Sequence, residues 1–302
     1  MQQSGPRQAS RSTVEPSSPF TSAQDVATRL RAVDYLPDDR IAGTVHLAAR
    51  MAKPVLVEGP AGTGKTELAK SVARTLGARL IRLQCYEGLD EAKALYEWDF
   101  RKQLLRIQAA GGSWDDLQSD LFAEEFLLAR PLLAAIRAPE QVVLLVDEVD
   151  RLEVETEALL LEVLSDYQVS VPELGTITAS TAPLVFLTSN ASRELSEALK
   201  RRCLFLHLDY PAPEREREIV LARVPGISER LAGQVADVVR SLRAMDLKKR
   251  PSVSETLDWA RALVLLLEDD VTDTTVRNYL HVLLKNQSDI VKATEAFSGV
   301  SA

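Results

Sequence analysis

Five short apolar runs punctuate the first two thirds of the chain: VLVEG from Val55, LIRLQC from Leu80, VVLLVDE from Val142, LVFLTSN from Leu184 and LFLHLDY from Leu204. Each has the length of a strand. VVLLVDE is apolar on both faces, as a central strand of a parallel sheet must be. Helical spacing fills the gaps. In KTELAKSVARTLG, Leu68, Val72 and Leu76 share one face and Gly77 stands where a helix stops. In RLEVETEALLLEVLSDY, Leu152, Leu159, Val163 and Tyr167 fall near one stripe. Upstream, SAQDVATRLRAV and PDDRIAGTVHLAARM also carry apolar residues at helical spacing. Strands alternating with helices predict an α/β fold, a parallel five-stranded sheet with helices on both faces.

The pattern changes after DYPAPERERE, where Pro211 and Pro213 mark a boundary. Beyond it only helices are predicted. Leu231, Val235, Val238 and Leu242 make one stripe, and Leu257, Ala260, Val264 and Leu267 another. Ser252 with Glu255 three residues on is a capping box that starts the second. Three units are expected: a disordered tail rich in Ser, Pro and Gln over 1–24, an α/β domain over 25–210, and a small all-helical domain over 211–302. The stretch from Gln103 to Ile136 is longer than a simple crossover and reads as an inserted helical element broken at Gly111 and Gly112. YQVSVPELGTITAS reads as a β-hairpin with Val169 and Val171 on one side and its turn near Glu173–Gly175.

Composition narrows the function. The 302 residues are 46% apolar and 26% charged, the mix of a soluble globular protein, with a formal net charge of −8. A protein that grips phosphate backbones carries a basic surface, so this balance counts against nucleic acid as a partner. No apolar run nears the roughly 18 residues of a membrane span. The N-terminal stretch MQQSGPRQASRSTVEPSSPF lacks the apolar centre of a secretory signal. The cytoplasm is the default compartment, with no membrane partner. Cys85 and Cys203 lie in apolar strand-like segments and read as buried, reduced thiols. The three histidines show no metal-ligand spacing.

GPAGTGKT fits G-x-x-x-x-G-K-[ST], directly after a predicted strand and at the opening of a predicted helix. There, backbone N–H groups and the helix N-terminus can cradle phosphate oxygens. Gly62 and Gly64 let the backbone approach them without a Cβ clash. Lys65 reaches the β- and γ-phosphates, and the Thr66 hydroxyl coordinates Mg²⁺. The candidate cofactor-binding set is Gly59, Pro60, Ala61, Gly62, Thr63, Gly64, Lys65, Thr66 and Glu67, with ATP and Mg²⁺ as cofactors. Asp147 ends the most apolar strand, at the edge where open α/β sheets bind ligands, and can hold the Mg²⁺ through water. Glu148 follows it. A carboxylate there can polarise a water for attack on the γ-phosphate, which argues for hydrolysis over phosphoryl transfer to a metabolite. Asn190, at the end of LVFLTSN, can orient that water. Lys200, Arg201 and Arg202 crowd the mouth of the fifth strand. Taken alone they read as a solvated turn.

A phosphate-binding loop, an Asp-Glu pair, an Asn after the next strand, a basic run before the fifth and a helical domain behind: this order resembles the AAA+ ATPases over about residues 25–290. The resemblance implies a P-loop AAA+ fold with the helical domain as its lid. It also implies that an arginine before the fifth strand projects into a neighbouring subunit's site and stabilises charge on the transferring phosphoryl group. Arg202, nearest the strand, is favoured for that role, with Arg201 in reserve. VLVEGPAGTGKTELAK, LLVDEVDRLEVETEALLLEVLSDYQVSV and FLTSNASRELSEALKRRCLF are similar to the MoxR family. RLQCYEGLDEAKALYEWDF and PSVSETLDWARAL are similar to a branch associated with carbon monoxide dehydrogenase maturation. That implies a chaperone-like ATPase in a hexameric ring. It would work with a von Willebrand factor A-domain protein on a client metalloenzyme, with a molybdenum carbon monoxide dehydrogenase as the example. In such a ring the hairpin over 167–180 faces either the centre or its own domain.

The alternative within the same superfamily is a nucleic-acid-dependent motor or loader. Its signature is a basic, aromatic-rich channel or an appended helix-turn-helix. An aromatic content of 5% and the negative charge speak against it. One departure from the family pattern concerns the lid. Where related chains place an arginine that contacts the γ-phosphate, this one has Ser254, with Lys248, Lys249 and Arg250 just upstream.

Overall fold

The computed structural model describes residues 18–109 and 121–298. Two helices open it, α1 (Ala23–Arg31) and α2 (Asp39–Met51), capped by the side chains of Ser22 and Asp38. Then come β1 (Val55–Glu58), α3 (Lys65–Leu76) and β2 (Arg79–Gln84). A one-turn α4 (Glu91–Ala94), β3 (Tyr96–Trp98), α5 (Phe100–Ala109), β4 (Leu127–Ala129) and α6 (Pro131–Ile136) follow. Next are β5 (Val142–Asp147), α7 (Val154–Asp166), the hairpin β6 (Gln168–Val171) and β7 (Gly175–Thr178), and β8 (Leu184–Ser189). The one-turn α8 (Glu197–Lys200) leads into β9 (Leu204–His207). Five helices finish the chain: α9 (Pro213–Arg223), α10 (Glu229–Ala244), α11 (Val253–Leu265), α12 (Asp273–Leu283) and α13 (Gln287–Ser298).

The five apolar runs are the five strands of one parallel sheet, in the order β2-β5-β8-β1-β9. β5 and β8 lie inside it and are buried along their whole length. Successive side chains leave a strand on opposite faces. Val142, Leu144 and Val146 therefore join a core with α6 and α7, while Val143 and Leu145 join one with α1, α2 and α3. Helices on both faces leave the strand ends as the open edge for a ligand. The hairpin forms with Gly175 opposite Val171, and Val169 and Val171 are buried in the α6–α7 core. Its apolar side thus packs on its own domain.

α9 to α13 surround a third core that includes Val220, Val235, Trp259 and Leu280, all drawn from this helical unit. Glu216 of α9 is its polar centre, only 1% exposed. It accepts from Arg243 Nη1 at 2.5 Å, Arg243 Nη2 at 2.8 Å and Thr256 Oγ1 at 2.8 Å, tying α9, α10 and α11 together. Removing one partner of such a pair strands the other charge. Glu216→Ala is expected to destabilise the protein by about 3–5 kcal/mol, read by urea denaturation. A loss below about 1 kcal/mol would show that Arg243 carries no such dependence.

Several expectations shift. Phe20, assigned to the tail, is 1% exposed and packs against α1, so order begins before residue 25; residues 1–17 lie outside the described residues. Gly111 and Gly112 lie outside them as well. The inserted segment is not all helical: β4 within it pairs antiparallel with β3, which lies just before it. α7 starts after Leu152 and buries Glu157, Leu160, Val163 and Leu164, leaving Leu159 half-buried. In α10 the buried position is Val239 in place of Val238. α11 is turned by its Trp259, which is fully buried with Ala260 and Leu263, and Leu267 falls beyond the helix at 87% exposure.

Candidate active site

β1 delivers the chain into the phosphate-binding loop, and α3 leaves it at Lys65. The loop bends through glycines that no other residue could replace cheaply. Gly62 and Gly64 have φ of 74° and 93°, and a Cβ on Gly59 would lie 1.9 Å from the Leu208 carbonyl oxygen. A Cβ on Gly62 would lie 2.4 Å from Ser252 Oγ, at the start of α11. The helical unit therefore rests directly on the loop. Thr63 Oγ1 donates to the Pro60 carbonyl at 3.0 Å, which closes the turn around exposed Ala61.

Lys65 is buried and donates to the carbonyls of Gly59 and Pro60, both at 2.7 Å, and to Asn190 Oδ1 at 2.9 Å. Burial lowers its pKa, while the carboxylates of Asp150, Asp147 and Glu148 oppose the drop. Asn190 is fixed in turn by Asp150, whose Oδ2 accepts the backbone N–H of Asn190 at 3.2 Å and both groups of Ser192. Lys65 and Asn190, 125 residues apart in sequence, thus share one point in space.

Thr66 Oγ1 donates to Asp147 Oδ1 at 2.9 Å, and Thr188 Oγ1 donates to the same oxygen at 2.5 Å. A hydroxyl and a carboxylate meeting beside the loop are hard oxygen donors of the kind Mg²⁺ takes, so the residues fit that ion. The other oxygen of Asp147 accepts from Arg82, Nε at 3.1 Å and Nη2 at 2.6 Å. Glu148 sits in the left-handed region with φ 58°, an outlier for a non-glycine residue. Its N–H donates to Thr188 Oγ1 at 2.9 Å. Its carboxylate accepts from Gln84 Nε2 at 3.2 Å and pairs with Arg151 Nε at 2.9 Å. The left-handed turn places a half-exposed carboxylate beside the Thr66–Asp147 pair.

Between α2, the loop and the helical unit lies a cavity of about 370 Å³ that continues from Gly62 and Gly64 to Tyr35, Tyr210, Ile219 and Leu257. Its apolar walls and its contact with the phosphate loop suit a nucleoside. Glu67, expected to bind the cofactor, turns its carboxylate to Arg74 at 2.5 Å and Arg223 at 3.1 Å. Burial raises its pKa, but those two arginines more than offset the rise. Ser254 lines the cavity and carries no charge, whereas Arg250 is exposed and outside its lining. The arginines that do line it from the helical unit are Arg215 and Arg223 of α9. Arg215 donates to the Leu36 carbonyl, clipping that unit to the N-terminal segment.

Arg202 and Arg201, the two candidates before β9, differ in their contacts. Arg202 donates to Ser165 Oγ and to the Ala198 carbonyl at 2.9 Å, so it braces its own domain. Arg201 is exposed, and among the described residues no hydrogen bond or ion pair holds its guanidinium. The turn that presents it is rigid. Ser196 caps α8, and buried Glu157 accepts from the backbone N–H and hydroxyl of Ser196 and from Arg193.

Sequence reasoning missed Arg82, Gln84 and Thr188. The signal was present in RLIRLQ, where Arg82 and Gln84 alternate onto one face at the ligand edge of a strand. Only the register makes it specific, since Gln84 lies opposite Asp147. Both cysteines are free, and burial pushes each thiol up to about 12. Among the described residues no helix is long and apolar enough to cross a membrane.

Comparison with known proteins gives the same reading of the loop and sheet. Protein NorQ of Paracoccus denitrificans is 27% identical over 227 residues, covering 71% of this chain and 75% of that protein. Denitrification regulatory protein NirQ of Pseudomonas aeruginosa is 26% identical over 216 residues, covering 69% and 74%. Protein CbbQ of Hydrogenophilus thermoluteolus is 26% identical over 203 residues, covering 65% and 66%. Residues 55–208, from the first strand to the end of the fifth, match the family described as "ATPase family associated with various cellular activities (AAA)". The chain belongs to that family, as an ATP-hydrolysing enzyme of the MoxR type.

Proposed function

We propose that this ATPase couples Mg²⁺-ATP hydrolysis to chaperone-like maturation of a client metalloenzyme, working as a ring. The observation that carries the hydrolytic part is the convergence at one sheet edge. Lys65 and Asn190 share a hydrogen bond, Thr66 and Asp147 share another, and Glu148 stands next to them on a strained turn. Mg²⁺ held by Thr66 and Asp147 would neutralise phosphate charge. The chain supplies the rest. Lys65 and the loop N–H groups hold the phosphates, and Asn190 orients the attacking water. Glu148, kept in place by Gln84 and Arg151, accepts the water's proton. Arg201 reaches a neighbouring copy's site and counters charge on the transferring phosphoryl group. The helical unit acts as the lid, since it both roofs the cavity and touches Gly62.

The client reading rests on the resemblance of RLQCYEGLDEAKALYEWDF and PSVSETLDWARAL to the carbon monoxide dehydrogenase maturation branch. The resemblance of VLVEGPAGTGKTELAK and FLTSNASRELSEALKRRCLF to the MoxR family supports a von Willebrand factor A-domain partner and a hexamer, and the free, reduced cysteines fit a cytoplasmic site of action. The test is a strain lacking this ATPase. Its molybdenum hydroxylase should be made at normal levels but purify with an incomplete metal centre. Wild-type protein should restore the metal, and Lys65→Ala should not. A fully metallated enzyme from the deletion strain would remove this client.

A further inference from the structure

The acceptor sites of Asp147 are all taken by the chain's own donors. An ionised carboxylate offers about four lone-pair positions. Oδ1 accepts from Thr66 Oγ1 at 2.9 Å and Thr188 Oγ1 at 2.5 Å, and Oδ2 accepts from Arg82 Nε at 3.1 Å and Nη2 at 2.6 Å. The first two donors are neutral hydroxyls. The other two belong to one guanidinium, and charge-assisted bonds of that kind are the strong ones. The side chain of Asp147 is 4% exposed and that of Arg82 is 48% exposed. Arg82 therefore gives up little hydration to neutralise a carboxylate that has lost nearly all of its own.

Arg82 does not lie opposite Asp147. The register sets Arg82 against Leu145 and Gln84 against Asp147, so the guanidinium reaches diagonally toward the ligand edge. β2 is an edge strand of the sheet, which lets that guanidinium keep contact with solvent. It also donates to Gln84 Oε1. A guanidinium has donors only, so Gln84 turns its oxygen to Arg82 and its amide N–H to Glu148, meeting Oε2 at 3.2 Å. One cation thus holds both members of the Asp-Glu pair, the first directly and the second through an amide.

Charge gives this arrangement a consequence that a plain cross-strand tie would not have. Asp147, Glu148 and Asp150 all act on the charge of Lys65, so three carboxylates stand near one strand end. Mg²⁺ keeps its water tightly and is bound in nucleotide sites by one or two carboxylates plus substrate phosphates. With Arg82 on Oδ2, Asp147 presents a single oxygen, already shared by two hydroxyls, beside a full positive charge. A bare dication is repelled there and must displace a donor. A cation arriving on nucleotide phosphates brings negative charge and most of its oxygens with it, and asks only for the Thr66 hydroxyl and Oδ1.

We propose that Arg82 is a positioning residue that withholds Asp147 from free divalent cations, so that Mg²⁺ is taken only together with nucleotide. The inference rests on the reading of Thr66 and Asp147 as the metal-binding pair.

The test uses the full chain without nucleotide. The wild type's melting temperature should not move when Mg²⁺ is added. Mn²⁺, followed by loss of the free ion's paramagnetic resonance signal, should bind it weakly. Arg82→Gln drops the charge. It should melt below the wild type, regain stability as Mg²⁺ is added, and bind Mn²⁺ at least about tenfold more tightly, a gain of about 1.4 kcal/mol. Arg82→Lys keeps the charge and should stay as indifferent to Mg²⁺ as the wild type. Adding Asp147→Asn to Arg82→Gln should abolish the gained response. An Arg82→Gln protein with no gained response, an Arg82→Lys protein that responds as strongly, or a response that survives Asp147→Asn would each overturn the inference. So would a wild type whose melting temperature rises with Mg²⁺ while that of Asp147→Asn does not, a result that needs no Arg82 variant to fold. Calorimetric titration of Asp147→Asn with ADP, with and without Mg²⁺, separates the two readings. If its binding keeps the wild type's Mg²⁺ dependence, the metal-pair reading falls and this inference with it. If that dependence is lost while Arg82→Gln stays indifferent to cations, the inference falls alone.

Discussion

Arg201→Ala is expected to lower ATP turnover by about 10³–10⁵-fold, the range measured for arginines that act on a transferring phosphoryl group. Nucleotide binding and assembly should survive. Arg202→Ala should do much less to the chemical step, because its guanidinium is spent within its own domain on Ser165 and Ala198. Arg201 has no such partner among the described residues and ends a turn locked by Ser196 and Glu157. Rigid presentation of an unpaired cation is what trans catalysis needs, since it removes reorganisation at the moment of reaction. Steady-state turnover and nucleotide affinity of the two variants, measured side by side, decide between them. Mixing Arg201→Ala with Lys65→Ala adds a second readout. Some interfaces then pair an intact loop with an intact arginine, so partial activity should return. A mixture no more active than its parents, or Arg202→Ala as the slower single variant, would reject this assignment.

The choice between these adjacent arginines marks the limit of what the chain's pattern could reveal. The five strands were legible because runs apolar on both faces have few other uses, and the loop was legible because its glycines, lysine and threonine sit between a strand and a helix. The arrangement around Asp147 was not. Arg82 reaches Asp147 and Gln84 reaches Glu148 only through the β2–β5 register, and register depends on the whole sheet. Glu157 was hidden for a different reason. A glutamate on an amphipathic helix counts as solvent-facing, yet this one is 1% exposed because the Ser196 turn needs its oxygens. The α11 stripe was misread because ALVLLL offers leucines to several faces, and the buried Trp259 settles which face turns inward. Leu267, placed on the apolar stripe by periodicity, falls beyond the end of the helix and stays exposed.

Glu148→Gln should keep nucleotide binding and lose turnover by about 10²–10⁴-fold, the contribution typical of a positioned general base. The reasoning starts from the backbone. Asp147 must end β5 inside the sheet to meet Thr66, and the next residue must turn out sharply, which places Glu148 at φ 58°. Strain of about 1–3 kcal/mol held at one carboxylate is the mark of a site constrained by its task. Glutamine keeps the side chain's length and can still accept from Gln84 or Arg151, so the fold and the loop should not change. What it loses is the capacity to take a proton. Lys65→Ala offers the contrast: it removes the cation that the loop gathers and should fail at binding. Gln84→Ala should fall between wild type and Glu148→Gln, because it frees the carboxylate without removing it. Calorimetric titration with ATP and Mg²⁺, paired with a phosphate-release assay, separates the three. If Glu148→Gln hydrolyses ATP at the wild-type rate, the base lies elsewhere in the site. Should it fail to bind nucleotide, the carboxylate's role is in holding the cofactor and not in activating water.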